Sequence, residues 1–359
     1  MKSTIHISKS ISGLHDFKLA KESTFVIIDN NLQHLAEHFK QFSPIFLKGG
    51  EQNKLLESVA SLATSLLEAG ADRDALIIGI GGGITTDVTG FTASIYKRGV
   101  KFAFVPTTLL AQVDASIGGK NGVNLHSYKN ILGTINQPEW IYICPQLLRT
   151  LPEDEFKAGI AEVLKTFILF DKEMYTTAVE YFTHVAQKYN GRDNKETSYG
   201  EIAVEHNIEL LTQIIGKCAQ YKSGVVERDE FEKGERRLLN LGHTFAHSIE
   251  KLTQGEISHG YAVSIGMVIA AKIARAMGTA QEGFAQKLAE DLQSCGLPAT
   301  LEQCPATAHL KMGELAQAIK KDKKVHGSNI HFILPKGLEK VEDILVPITT
   351  INNIADDLR

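Results

Sequence analysis

Cysteine is scarce in this chain: four occur in 359 residues, Cys144, Cys218, Cys295 and Cys304, and no two form a CxxC pair. No disulfide scaffold is indicated, and the four read as small hydrophobes of a reduced, cytoplasmic protein. Long hydrophobic runs are also missing. No stretch reaches the roughly 18 apolar residues of a membrane span. "AVSIGMVIAA" (262–271) is apolar nearly all round but too short, and reads as a buried helix. The opening segment "MKSTIHISKSISGLHDF" has no apolar core of the signal-peptide kind. Charge is nearly balanced, with a formal net charge of -4. A nucleic-acid partner therefore has no overall basic field to meet. Internal repeats and low-complexity tracts are absent.

What remains is an ordinary globular composition, 43% hydrophobic and 22% charged. The length argues for about two domains. Residues 1–150 alternate strand-like and helix-like segments. "TFVIID" (24–29), "PIFLKG" (44–49), "DALIIGIGGG" (74–83) and "KFAFVPTT" (101–108) are short apolar runs, and "NKLLESVASLATSLLEAG" (53–70) has helical periodicity. Such alternation predicts βαβ units and a parallel sheet. From about residue 151 to 359 the periodicity is mainly helical, opening with "LPEDEFKAGIAEVLKTFILF". "NGRDNKETSYGE" (190–201) reads as a loop, and "SNIHFILPKGLEKVEDILVP" adds a strand or two near the C-terminus.

"ALIIGIGGGITTDVTGF" (75–91) is a strand, a glycine cluster and a helix start. Glycines let a backbone approach a diphosphate, and the helix N-terminus supplies free N–H groups and the positive dipole end. Gly81 and Gly83 fit the GxGxxG pattern, but Thr86 occupies the third glycine position. Asp29, ending an earlier strand, suits a ribose hydroxyl pair; a turn or cap role is the alternative.

Three further stretches carry charge that packing alone would not place. "VDASIGGKNGVNLHSYKN" (113–130) sets Lys120 and Lys129 among glycines and asparagines, a loop suited to anionic oxygens or simply to solvent. Lys222 falls on the apolar stripe Ile208, Leu211, Ile215, Cys218, Val225 of a helix spanning about 205–228. It must snorkel or meet an anion. Glu162 and Lys165 are i,i+3 on one helix face, either a surface ion pair or a metal ligand beside a substrate cation. Then His243, His247 and His259 fall within 17 residues. A carboxylate with two histidines is a common catalytic zinc set that leaves a position open for substrate. Glu162 or Glu250 with His243 and His247 is one choice; spacing does not separate it from a set using His243 and His259.

With these residues in view, a resemblance emerges. "GGGITTDVTGF", "YKRG", "PTTLLAQVDASIGGKNGVN", "KNILG", "GIAEVLK", "ERRLLNLGHTFAH", "SHGYAVSIGM" and "KKDKK" resemble, in order, the successive motifs of the 3-dehydroquinate synthase family, over about residues 45 to 325. The length fits a monofunctional bacterial-type enzyme. The resemblance implies an α/β plus α protein: an N-terminal Rossmann-like NAD-binding domain (1–150) and a mainly helical metal- and substrate-binding domain (151–359). It implies zinc or cobalt held by Glu162, His243 and His259, with His247 a non-ligand facing substrate phosphate. Asp114, Lys120, Asn130, Lys165, Lys222, Arg236, Asn240 and Lys323 match substrate-pocket positions. Arg98 matches an arginine reaching a neighbouring subunit's phosphate site, which implies a homodimer. For NAD, Gly50, Glu51, Gln52, Asn53 and Lys54 match cofactor contacts. So do Gly83, Ile84, Thr85, Thr86 and Asp87, then Thr107 and Thr108, Lys120 and Lys129, and Leu147, Leu148, Arg149 and Thr150. The family commonly has glycine where this chain has Thr86, which raises the question of how a side chain fits beside a pyrophosphate.

The implied substrate is a sugar-acid phosphate, 3-deoxy-D-arabino-heptulosonate 7-phosphate. The implied chemistry is transient oxidation by NAD, β-elimination of phosphate, return of the hydride and an intramolecular aldol closure to 3-dehydroquinate. The alternatives are another sugar phosphate cyclase, acting on a substrate without the carboxylate, a metal-dependent polyol dehydrogenase that releases NADH, and a non-catalytic dinucleotide-binding protein. Lys222 and Arg236 beside Lys120 favour an acid substrate, and intact Glu162, Lys165, His243 and His259 disfavour a mere binding module.

Overall fold

A computed structural model describes residues 3–126, 128–192, 197–320, 325–326 and 329–347. The chain divides into two compact units, Met1–Leu151 with Asn207–Glu227, and Pro152–His206 with Arg228–Arg359.

The first unit is built on a six-stranded sheet among the described residues. Its strands are β1 (Thr4–Ile7), β2 (Thr24–Asp29), β3 (Ile45–Leu47), β4 (Leu76–Gly81), β5 (Lys101–Pro106) and, after a hairpin of β6 (Lys120–Leu125) and β7 (Tyr128–Ile135), β8 (Trp140–Ile143). Their order is β1-β8-β5-β4-β2-β3 and every pairing is parallel. β2, β4 and β5 are buried almost throughout, as strands covered on both faces must be. On one face Val26, Ile28, Ile78, Ile80, Ala103 and Val105 pack with Leu35, Phe39 and Phe42 of the 3-10 segment Asn30–Phe42. On the other, Gly79 lies against Thr89 of α2 (Gly83–Ile95), while α1 (Leu56–Glu68) precedes β4.

The hairpin is a departure from the sequence reading of 113–130 as a loop. Asparagine and glycine are poor strand formers, but here each has a local reason. A Cβ on Gly122 would fall 2.7 Å from the carbonyl oxygen of Leu132, so only glycine admits the cross-strand approach. The Asn121 amide donates to the carbonyls of Gly119 and Asn136.

The second unit is mainly helical: α3 (Glu153–Phe170), α4 (Lys172–Asn190), the first turns of α5 (Tyr199–Arg228), α6 (His243–Leu252), α7 (His259–Ala276), α8 (Phe284–Ser294) and α9 (Met312–Lys320). A small antiparallel sheet, β9 (Val325–His326), β10 (Asn329–Gly337) and β11 (Lys340–Pro347), follows. α7 is buried over Ala262–Ala271, as its all-round apolar sequence requires. α5 breaks at Asn207 (φ -165, ψ 92), whose side chain accepts from the Leu210 N–H and caps the part that belongs to the first unit. A division read linearly along the chain does not contain this return of 207–227. Cys144, Cys218 and Cys295 are buried and all four cysteines are free thiols. No described helix is long and apolar enough to cross a membrane.

Candidate functional site

Within the second unit, two close approaches bring three distant residues together. A Cβ on Gly260 would lie 2.2 Å from the Ala158 backbone, and one on Gly266 would lie 2.2 Å from the Gly242 carbonyl. Glycine at both positions thus lets α7 press against α3 and against the start of α6. Gly242 itself takes the left-handed conformation that starts α6 (φ +80). Glu162 of α3 then faces His243 and His259, the first residues of α6 and α7. One ligand atom from each of the three lies within 4.8 Å of the others.

Glu162 is fully buried. Its Oε1 is 3.6 Å from His243 Nε2 and 3.4 Å from His259 Nε2, while the Lys165 ammonium meets Oε2. The imidazole distances are too long for good hydrogen bonds. Two imidazole nitrogens and a carboxylate are the donor set of a catalytic zinc site, so these three groups could hold a metal ion. His243 Nδ1 lies 3.2 Å from the Leu241 carbonyl, which would hold that nitrogen's proton and leave Nε2 to a metal. Electrostatics set the charge of each group. Burial would raise the Glu162 carboxyl, yet Lys165 and the two imidazoles hold it well below the usual range, so it stays an anion. Burial, then Lys165, pushes His243 well below the ordinary imidazole value and keeps it a neutral donor. Burial also acts to lower His259, but Glu162 and Glu250 outweigh it and lift it to about 10.

The two histidines at i,i+4 therefore part company. The His247 ring stands edge-on to His243, centroids 5.6 Å apart, and is not one of the three converging donors. Glu250, the other carboxylate that spacing left open, faces the far nitrogen of His259. Arg236 is buried, donating to the Glu230 carbonyl at 2.5 Å, and the Asn240 amide donates to Glu232. Glu232 has φ +57; sequence reading passed over it, and only its unusual backbone and its bond to Asn240 single it out. Lys323 lies outside the described residues.

In the first unit the glycine turn caps α2 with Gly82, which offers no side chain to the helix's free N–H groups. Thr107 N–H closes on the Gly81 carbonyl at 2.9 Å, and a Cβ on Gly82 would fall 2.9 Å from the Thr108 methyl. Thr86 is wholly buried, its hydroxyl donating to the Gly83 carbonyl at 3.0 Å. Its side chain is thus folded back onto the first turn of the helix. Asp29 accepts from Asn31 N–H at 2.9 Å and from the Thr85 hydroxyl at 3.1 Å, and a Cβ on Gly49 would touch its carboxylate. It is both a cap and a neighbour of the turn.

Beside the turn lies a polar network. The buried Lys54 ammonium contacts Asp87 Oδ2 at 2.5 Å and Asn130 Oδ1 at 2.6 Å. Asn130 has φ +52, held by its N–H to Asn124 Oδ1, and the Asn124 amide reaches Glu51 at 2.8 Å. Burial, against the pull of Lys54, raises Asp87 to about 6. Lys222 does not snorkel. It is 8% exposed and its ammonium contacts both Oδ1 and the carbonyl of Asp114 at 2.7 Å. Gly50 (φ +96) opens the turn of Glu51, Gln52 and Asn53, whose amide donates to the Gly49 carbonyl at 2.6 Å. Leu147 and Leu148 lie in the 3-10 turn Pro145–Leu148. Lys120, Lys129, Arg149 and Thr150 are exposed, while Ile84 is half-buried in the first turn of α2. Arg98 is exposed as well, with φ +72 in the turn Tyr96–Arg98, away from this network.

Comparison with known proteins agrees with these two halves. Residues 44–158 match the family model for the N-terminal part of 3-dehydroquinate synthase, and residues 159–325 that for its C-terminal part. The chain is 39% identical to the 3-dehydroquinate synthase of Alkaliphilus metalliredigens over 84% of its length and 78% of the relative's. It is 38% identical to that of Sulfurisphaera tokodaii over 97% of its length and 93% of the relative's. Among solved structures, 2-deoxy-scyllo-inosose synthase complexed with carbaglucose-6-phosphate, NAD+ and Co2+ superposes with a TM-score of 0.79 at 26% identity, covering 98% of this chain and 96% of that one. With both family models matched in order and both relatives aligned over most of its length, the chain belongs to the 3-dehydroquinate synthase family.

Proposed function

We propose that this chain converts 3-deoxy-D-arabino-heptulosonate 7-phosphate into 3-dehydroquinate and phosphate, using NAD and a divalent metal, zinc or cobalt, without net consumption of either. The carrying observation is the convergence of buried Glu162 with half-buried His243 and His259 on one point in a member of this family. Those three residues would hold the metal, which when bound supplies a Lewis acid for substrate hydroxyls. The Gly81–Gly83 turn, Asp29 and the Lys54–Asp87 pair would seat NAD, which supplies a hydride acceptor and donor. Lys165, already against Glu162, positions a cation beside the metal ligands. His247, on α6 with His243, orients phosphate and passes a proton at an imidazole nitrogen. Lys120, Asn130, Lys222 with Asp114, Arg236, Asn240 and Lys323 would bind the two anionic ends and the hydroxyls. Their contribution is positioning and charge stabilisation. Arg98 would act in the site of a second copy, making the working unit a homodimer.

The test is turnover of the substrate by purified protein with NAD+ and zinc or cobalt, following phosphate, 3-dehydroquinate and NADH together. Phosphate and dehydroquinate in equal amounts, with no NADH accumulating, is the expected result. No phosphate from folded, metal-loaded protein would move the assignment to another sugar phosphate cyclase. Steady NADH from a simple polyol would move it to a dehydrogenase.

A further inference from the structure

Glu250 lies seven residues after His243 on α6, so two helical turns place both on one face. It is a buried carboxylate, 7% exposed, inside a helical domain. Burying a carboxylate is costly unless it meets a proton donor or cation. Its Oε2 lies 3.5 Å from Nδ1 of His259, whose Nε2 is 3.4 Å from Glu162. The imidazole of His259 therefore stands between two buried carboxylates, one at each nitrogen. Glu250 is on the far side of the ring from the converging donors, so it is not a fourth member of that set.

We propose that Glu250 is a positioning residue of the metal site: it faces Nδ1 of His259 at 3.5 Å, closes to accept that proton when the ring engages the ion, and so fixes the ring with Nε2 turned to the ion. The inference rests on the metal-site reading above and goes beyond it. His243 provides the contrast, because its Nδ1 faces a neutral carbonyl, that of Leu241 at 3.2 Å. Both rings are oriented from behind, but only His259 has a charged acceptor there. A charged acceptor makes the imidazole a stronger donor than a carbonyl does. His259 needs the help more, being one-third exposed at its side chain where His243 is 13% exposed. A ring less confined by packing must be confined by its hydrogen bond.

The experiment is zinc affinity by chelator competition for the full-length protein, Glu250→Ala and Glu250→Gln, with the visible spectrum of the cobalt-loaded forms and thermal midpoints of the metal-free forms. Glu250→Ala should bind zinc about 10- to 100-fold more weakly, the usual cost of losing such a partner. Glu250→Gln, which keeps an oxygen acceptor and the fold but not the charge, should fall between, with an altered cobalt spectrum. Wild-type zinc affinity in Glu250→Ala, whatever its thermal midpoint, would overturn the proposal and leave Glu250 a structural residue. Failure of the wild type itself to take up one equivalent of zinc would instead overturn the metal reading, and this inference with it.

Discussion

The buried charges of the two units are finished to different degrees. In the first unit Lys54 sits between Asp87 and Asn130 at 2.5 and 2.6 Å, and Lys222 contacts Asp114 twice at 2.7 Å. These groups satisfy one another. In the second unit Glu162 is more deeply buried than any of them; Lys165 closes on its Oε2, yet its imidazole neighbours stop at 3.4 and 3.6 Å from Oε1. Contacts that close at hydrogen-bond length satisfy their charges in place, whatever else they bind. Donor groups that converge on a common point without closing on one another are the ones that could share a metal ion. Burial of charge does not by itself mark a ligand site.

The largest expected effect follows from that convergence. Glu162→Ala or His243→Ala should abolish stoichiometric zinc binding and lower turnover by about a thousandfold or more, since a metal's charge stabilisation is worth several kcal/mol. Metal analysis and steady-state kinetics check it. Full metal content in either variant would refute the ligand set. Next comes Lys222→Met, which should both lower activity and destabilise the protein by about 2–3 kcal/mol in urea unfolding, because it strips the ammonium from a largely buried Asp114. Adding Asp114→Asn should recover part of the stability but none of the activity. If Lys222→Met unfolds like the wild type, the pair contributes nothing to the scaffold and the contrast between the units weakens.

The sequence announced some of this contrast and hid the rest. Lys222 stood out because helical periodicity put it on an apolar stripe; its partner, 108 residues away, left no local signal. Glu162 and Lys165 were legible as one helix face. Which histidine joins them was not, because i,i+4 spacing puts His243 and His247 side by side without saying which ring meets α3. That depends on the contact of Gly260 with Ala158, a tertiary fact. The family resemblance supplied His259 where spacing could not. The parallel sheet was readable from its continuous apolar strands. The β6–β7 hairpin was not, since its glycines and asparagines are strand-breakers anywhere but at a close cross-strand approach. The return of 207–227 to the first unit was hidden inside uninterrupted helical periodicity, broken only by the backbone of Asn207.

A smaller effect tests the closed network through pH. Asp87 is raised from 3.8 to about 6 in the folded chain. A raised carboxyl means that the folded state holds its proton more tightly than the unfolded state does. Its contribution to stability is therefore largest below pH 4 and is lost as pH rises to about 6, by about 2–3 kcal/mol at most. In the metal- and cofactor-free protein, the stability of the wild type relative to Asp87→Asn should fall across that window and be flat above it. A difference independent of pH would mean that Lys54 compensates the burial fully.

Thr86→Gly should have the smallest effect, and it concerns the place where the turn lacks the third glycine of the GxGxxG pattern. Thr86 has no exposed surface and its hydroxyl is bonded to the Gly83 carbonyl at 3.0 Å. The side chain is directed into the first turn of α2, so removing it opens no new approach for a diphosphate. Glycine there loses a buried methyl, a helix-start hydrogen bond and helix propensity, together about 1–2 kcal/mol of stability. NAD affinity should stay within about twofold of wild type, since the groups a helix start offers to an anion are backbone N–H donors and the Thr86 hydroxyl is bonded back to the Gly83 carbonyl. Tighter NAD binding by Thr86→Gly, measured by titration calorimetry, would show that the threonine does crowd the turn. Unchanged binding with lower stability would place Thr86 with the closed, self-satisfied polar groups of the first unit, where its geometry already puts it.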